Sequence, residues 1–323
     1  MYTPPFTVTD EILHLVSEIS EQIGTLNARL GERMPSPMLR KENQIKTIHS
    51  SLAIEHNSLS LQQVTDVIDG KHILGAPDEI QEVKNALQAY QLMQQLDAYS
   101  ESDLLRAHSL MMVDLVDNAG HYRKGSVGIF DGDKCIHIAP SADRVPTLMA
   151  DLFAWIKQTK THPLVSSCVF HYEFEFIHPF MDGNGRMGRY WQTLLLSRWK
   201  GIFAWLPVET IVKKYQQEYY QAIAQSDAKG DSTDFIVFML NCILQTINEQ
   251  QKVTDKVTDK VTDKSGAKVL NLIQNNPSVT IPEMMQTLGM SDSGVRKILR
   301  RLQQQGALRR IGANKNGHWE IIK

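Results

Sequence analysis

Three copies of VTDK run together in "KVTDKVTDKVTDK", residues 252–264, and no packed core can be built through such a run. It offers one valine in four residues, and the rest is charged or hydroxylic. Whatever folds on either side must therefore do so around its own core. The valines recur every four residues, which suits a helix, and a four-residue unit is far too short for a solenoid. The expected organisation is a body, a spacer over 252–264 and a small domain over 265–323. A chain of 323 residues has room for two or three such cores.

Charge divides at the same place. Residues 265–323 hold nine Lys/Arg against three Asp/Glu, a net of +6, and 25 against 33 remain elsewhere, a net of −8. A basic tail on an acidic body fits an anionic partner, and it equally fits a solvated basic face. The composition is that of a globular chain, 42% apolar and 22% charged. No apolar run approaches the roughly 20 residues that span a bilayer, so no membrane partner is expected. The start, "MYTPPFTVTDEILHLV", lacks the basic opening and small-residue cleavage site of a secretory signal. Cys135, Cys168 and Cys242 are odd in number and far apart, which fits neither a disulfide framework nor a thiolate metal site. A cytoplasmic location is expected.

The body reads as mainly α. Ile80, Val83, Leu87 and Tyr90 keep helical spacing, as do Leu104, Met111 and Leu115, and two further helices are expected over 208–226 and 233–250. The exception is "SVGIFDGDKCIHI", residues 126–138, where β-prone runs flank Asp131-Gly132 and predict a hairpin. The tail reads as two helices, a turn at Gly289, and a longer helix with the apolar stripe Val295, Ile298, Leu299 and Leu302. Arg296, Lys297, Arg300 and Arg301 take its other faces, and two short strands around "GANKNG" would make a wing. This pattern resembles a winged helix-turn-helix domain. The resemblance implies duplex DNA as a partner, with the third helix in the major groove. A protein-docking or dimerising module of the same fold is the other reading, and it leaves a homo-oligomer open.

The densest chemistry lies in "HPFMDGNGRMGR", residues 178–189. A helix from Pro163 through Leu164, Cys168 and His171 should end near Phe174. Another, with Met187, Tyr190, Trp191, Leu194 and Leu195 on its apolar face, should start near Gly185. The segment between them finishes at a helix N-terminus, which presents free N–H groups and a positive dipole end. Gly183 and Gly185 let the backbone turn and approach a ligand closely, which makes an anion cradle suited to phosphate. Arg186 and Arg189 can grip phosphate oxygens. Asp182 is a hard oxygen ligand suited to Mg²⁺ shared with phosphates, and His178 can accept a proton near neutral pH. A polar interhelical turn would explain the glycines alone, but not this whole set.

The string resembles the Fic family signature HPFxDGNGRxxR at every fixed position, and the upstream "HYEFEFI" and the hairpin also fit. The resemblance covers roughly residues 1–250. It implies a Fic-type helical bundle with a β-hairpin flap, made of an N-terminal helical region over 1–110 and a catalytic core over 111–251. It also implies transfer of AMP from ATP to a Ser, Thr or Tyr hydroxyl of a target protein. On that reading His178 is the general base, Phe180 plugs the core, and Asp182 binds Mg²⁺ between the α- and β-phosphates. Gly183, Asn184 and Gly185 line the anion hole, Arg186 holds the β-phosphate and Arg189 the γ-phosphate. Val127, Gly128 and Ile129 of the flap align the target segment.

A second stretch answers the first. In "SSLAIEHN", residues 50–57, Ile45, Ile48, Leu52 and Glu55 are spaced 3, 4 and 3, so a carboxylate follows the inward stripe of a helix expected over about 37–57 and needs a partner there. An ordinary salt bridge would satisfy it. The family resemblance implies more: Ser51 and Glu55 match the inhibitory pattern [S/T]xxxE[G/N], with His56 in place of Gly or Asn and Asn57 one position later. Glu55 would then pair with Arg189 and keep ATP out of productive alignment. Whether a released Glu55 also assists AMP removal stays open. Two other functions compete: a DNA-binding regulator whose nucleotide site only senses ligand, and transfer of another phosphate-linked group. A sensor has no use for His178, and paired Arg186 and Arg189 favour a triphosphate donor.

Overall fold

The computed structural model describes residues 2–30, 37–131, 134–304, 307–312 and 317–322; side chains of 27–30, 128–138, 253–264 and 304 lie outside the description. The chain forms two compact units, Met1–Glu249 and Gln250–Lys323. In order, the helices of the first are α1 (Asp10–Leu30), α2 (Pro37–Ile54), α3 (Leu61–Ile68), α4 (Pro77–Leu92), α5 (Glu101–Met112), α6 (Val145–Gln158), α7 (Pro163–Ile177), α8 (Asn184–Trp199), α9 (Val208–Lys214) and α10 (Gln216–Lys229). Strands β1 (Gly128–Asp131) and β2 (Lys134–Ile138) stand between α5 and α6. Helix α11 (Thr233–Asn275) begins in the first unit, and the VTDK repeat is part of its helical backbone.

Helices α7 and α8 form the middle of the first unit. From Leu164 to Ile177 every residue of α7 is buried except Phe176, as expected of a helix that is apolar nearly all round. In α8, Tyr190 and Trp191 are fully buried. Their polar ends are satisfied by carbonyls: Tyr190 Oη donates to Ala89 O at 2.7 Å and Trp191 Nε1 to Ala98 O at 3.0 Å. Burying such a side chain stabilises the fold by about 1.5–3 kcal/mol, so α4 and the stretch after it are fastened to α8. Gly188 lets α7 come close, because a Cβ there would stand 2.8 Å from Glu175 Oε1 and from His171 Cδ2.

The hairpin is antiparallel, with Gly128 opposite Ile138 and Asp131 opposite Lys134. Asp131 thus ends β1, and the turn residues 132–133 lie outside the described residues. Two other expectations shift. The helix expected over 208–226 is two helices, because Tyr215 adopts φ −113 and ψ 42 between α9 and α10. Leu115 falls outside α5, which ends at Met112.

The second unit contains the end of α11, then α12 (Ile281–Leu288), α13 (Asp292–Gln304), β3 (Leu308–Ile311) and β4 (His318–Ile321). A Thr280–Glu283 capping box starts α12 and Gly289 in the left-handed region, φ 63, ends it. Val295, Ile298, Leu299 and Leu302 are all buried, against Val269, Ile273 and Met284. Strands β3 and β4 pair antiparallel as a wing. Arg296, Lys297 and Arg300 are exposed. Arg301 is half-buried, and a Cβ on Gly266 would meet its Nη2 at 2.9 Å, so Arg301 packs against α11.

Candidate active site

Helix α7 stops at Ile177 because His178 turns into the left-handed region, φ 50 and ψ 62. A non-glycine residue there carries a cost of about 1–2 kcal/mol, which the surroundings must offset. His178 N donates to Phe174 O at 2.9 Å. Its Nδ1 lies 3.3 Å from Glu175 O, and a proton on Nδ1 toward that carbonyl leaves Nε2 as the basic nitrogen.

The loop after His178 is built around Phe180, which is fully buried. Its ring stacks on His108 with centroids 3.6 Å apart and an interplanar angle of 8°. The Asn184 amide brackets the Phe180 backbone, accepting from Phe180 N at 2.9 Å and donating to Phe180 O at 3.0 Å. Asn184 can thus offer a ligand its backbone N–H, while its side chain is committed to the loop. His108 accepts from Gly120 N at 2.8 Å through Nδ1, so Nε2 carries the proton and donates to Asp182 O at 3.1 Å.

Burial pushes His108 down to about 4 from its ordinary 6.5. The unfolded chain therefore binds this proton more readily, and the stability His108 contributes above pH 6.5 is lost as pH falls from 6.5 to 4. The upper bound is about 3 kcal/mol. Urea midpoints at pH 7 and pH 4.5 are expected to separate less in His108→Gln than in the wild type. Equal acid sensitivity would remove His108 as the responsible group.

Helix α8 opens at Gly183, φ 82, where a Cβ would stand 2.6 Å from Met112 Sδ, so only glycine fits. Gly183 N donates to Asp182 Oδ1 at 2.6 Å. At Gly185 a Cβ would lie 2.3 Å from Glu55 Oε1. The Glu55 carboxylate thus rests on the first turn of α8, where free N–H groups and the helix dipole favour an anion.

The two arginines are anchored differently. Arg189 is buried and donates through Nη2 to Glu55 Oε1 at 2.8 Å and to Ser51 O at 3.1 Å, and through Nε to Ser51 Oγ at 3.2 Å. Ser51, Glu55 and Arg189 meet although more than 130 residues separate Arg189 from each partner in sequence. Its Nη1 has no hydrogen-bond partner among the described residues and would stand 3.0 Å from a Cβ on Gly185, while the Arg189 residue also lines a small cavity with Gln192, Thr193 and Glu209. Burial raises Glu209 to about 6. Arg186 is also buried; it donates to Glu82 Oε1 at 2.8 Å and to Asp182 Oδ2 at 3.2 Å. Asn57 Nδ2 donates to the other Glu82 oxygen at 2.7 Å, so the end of α2 touches the Arg186 pair as well.

The end of α2 explains His56. Asn57 N bonds Leu52 O at 3.1 Å and His56 N bonds Ala53 O at 3.3 Å, a Schellman arrangement. His56 takes its left-handed position, φ 70, which is why glycine or asparagine suits that place. Helix α2 ends at Ile54, so Glu55 is the cap rather than a helical residue. Val127 is half-buried, and Gly128 and Ile129 open β1 opposite Ile138 and His137.

His108, Glu82 and Arg123 are absent from the sequence reading. His108 had a signal, since it lies on the stripe of Leu104, Met111 and Leu115 and breaks it with a polar ring. Glu82 and Arg123 had none.

A buried pair of helices with an anion seat at the second helix's start frames this site, and known proteins share its sequence pattern. The Fic/DOC family pattern matches residues 96–196, and a winged helix-turn-helix DNA-binding pattern matches 262–309. The crystal structure of a Fic family protein from Desulfovibrio desulfuricans G20 is 46% identical, with a TM-score of 0.76 over 99% of this chain and 98% of that one. The chain belongs to the Fic family. Protein adenylyltransferase Fic of Culex quinquefasciatus is 30% identical over 224 residues, 64% of this chain and 42% of that protein. Its counterpart in Drosophila grimshawi is 27% identical over 276 residues, 79% of this chain and 54% of that protein. The chain thus spans about half the length of the curated relatives it matches. Among the described residues no helix is long and apolar enough to cross a membrane.

Proposed function

We propose that this chain is a protein adenylyltransferase that moves AMP from ATP to a hydroxyl side chain of a target protein, and of itself, and that Glu55 holds it inactive. The observation that carries the reading is the Glu55 carboxylate on the first turn of α8, paired with Arg189 at 2.8 Å. A site that seats its own carboxylate where an anion is favoured is suited to a phosphate that must displace it.

The target oxygen attacks the α-phosphorus, and the bond from that phosphorus to the oxygen bridging to the β-phosphate breaks. The hydroxyl proton passes to His178 Nε2. Pyrophosphate departs with its charge held by Arg186 and Arg189, and the α8 N–H groups stabilise charge that grows in the transition state. Asp182 suits Mg²⁺: it is a carboxylate 58% exposed, and a single carboxylate suffices when phosphates supply further oxygens. The metal would neutralise phosphate charge. Among the described residues β1 pairs only with β2, which suits strand addition by a target segment at Val127, Gly128 and Ile129. Incubating Glu55→Gly protein with ATP and Mg²⁺ should add an adenylyl group to the intact mass, and an unchanged mass would oppose the reading. Buried free Cys168 and Cys242 support the cytoplasmic location.

For the second unit we propose duplex DNA binding, supported by exposed Arg296, Lys297 and Arg300 on α13. Arg296 is paired with Asp292 at 2.5 Å, so Arg300 is the better phosphate ligand. Arg300→Ala should weaken binding and lower the slope of log affinity against log salt by about 1. Gel shifts that show no binding to any duplex at low salt would favour protein docking.

A further inference from the structure

Arg123 is 2% exposed, yet it makes no ion pair among the described residues. Its side chain is satisfied by carbonyls alone. Nε donates to His178 O at 2.7 Å, Nη1 to Gly125 O at 2.9 Å, and Nη2 to Ile177 O at 3.3 Å and to Pro140 O. Its backbone N donates to Pro179 O at 2.9 Å. A buried charge without a counter-ion is costly, and the carbonyls at the negative end of α7 offset that cost.

An arginine that merely capped a helix would need only those carbonyls. Two features go further. Gly125 and Pro140 stand on either side of the hairpin, three residues before β1 and two after β2, so one guanidinium ties both feet of the hairpin to the end of α7. The carbonyls of Ile177, His178 and Pro179 all turn toward Arg123. Further along, Phe180 O goes to Asn184, Asp182 O to His108 and Gly183 O to Met187 N. These six backbone acceptors are thereby occupied by the protein, and His178 is held in its left-handed turn.

We infer that Arg123 is a positioning residue, which sets the His178 ring relative to the β1–β2 hairpin and so aligns the base with a hydroxyl presented there. The inference rests on the adenylyltransferase reading of this site. A misplacement of about 1 Å can cost about 10²-fold in rate. Lysine cannot replace the planar fork, because its ammonium is a compact point donor.

The test uses the full chain carrying Glu55→Gly, alone and with Arg123→Lys or Arg123→Gln. Maximal self-modification rate and the ATP concentration for half-maximal rate are measured, with rates normalised to the fraction of protein that binds ATP. The maximal rate should fall at least tenfold, with the half-maximal ATP concentration within about threefold. Adding guanidinium ion to Arg123→Gln should restore part of the rate. Deuterium exchange over residues 177–183 should quicken at least tenfold in both variants. A normalised maximal rate that is unchanged overturns the inference, as does unchanged exchange over 177–183. If Glu55→Gly with native Arg123 transfers no AMP, the adenylyltransferase reading fails, and the exchange result still decides whether Arg123 fixes the loop.

Discussion

Replacing His178 by asparagine is expected to lower AMP transfer by about 10²–10⁴-fold, the usual worth of general-base assistance, while ATP still binds. Asparagine tolerates the left-handed backbone that His178 adopts, φ 50, so the loop keeps its course, and the amide cannot take a proton at neutral pH. On the proposed reading the phosphate cradle is made of other residues: Gly183, Gly185, Arg186 and Arg189, together with the α8 N–H groups. Calorimetric titration with ATP should therefore give an affinity within a few-fold of the parent. Near-normal transfer by His178→Asn would end its assignment as base, and loss of ATP binding would show that the histidine supports the cradle itself.

The second large effect belongs to Glu55. Its carboxylate engages Arg189 Nη2 at 2.8 Å and stands against Gly185, so on the proposed reading it opposes an incoming γ-phosphate both by occupying the space and by like charge. At an effective dielectric constant near 20, two unit charges about 4 Å apart repel by about 4 kcal/mol, and a tenfold rate change needs only about 1.4 kcal/mol. Glu55→Gly should therefore raise AMP transfer about 10- to 10³-fold. Glu55→Gln, which keeps the bulk and removes the charge, should give a smaller rise. Adding Arg189→Ala to Glu55→Gly should return the rate toward the parent's, because the γ-phosphate loses its ligand. A double variant as fast as Glu55→Gly would separate Arg189 from phosphate binding.

Much of this site was legible because its determinants are local. Two helices flanking a Gly-rich string with His, Asp and two Arg could be read from periodicity and residue chemistry, and their observed bounds differ from the expected ones by a few residues. The wing and the buried stripe of α13 were legible for the same reason. The break at Tyr215 was not, since no glycine or proline interrupts the helical pattern between Val208 and Ala228. The supports of the loop were hidden for another reason. Glu82 lies 104 residues from the arginine it holds, and Arg123 lies 55 residues from the carbonyl it holds. Neither sits in a pattern that marks it, since one is an acid on an amphipathic helix and the other a cation in an irregular loop. Tertiary placement alone gives them meaning.

The central claim is that this site transfers the α-phosphoryl end of ATP as AMP, and that Glu55 prevents it. Glu55→Gly protein and the parent can be incubated with Mg²⁺ and ATP labelled at the α-phosphorus, and in parallel with ATP labelled at the γ-phosphorus. After denaturing separation, the account predicts covalent α label on Glu55→Gly, much less on the parent, and γ label on neither. Retention of γ label, or an absence of α label from Glu55→Gly across a range of ATP concentrations, would contradict it.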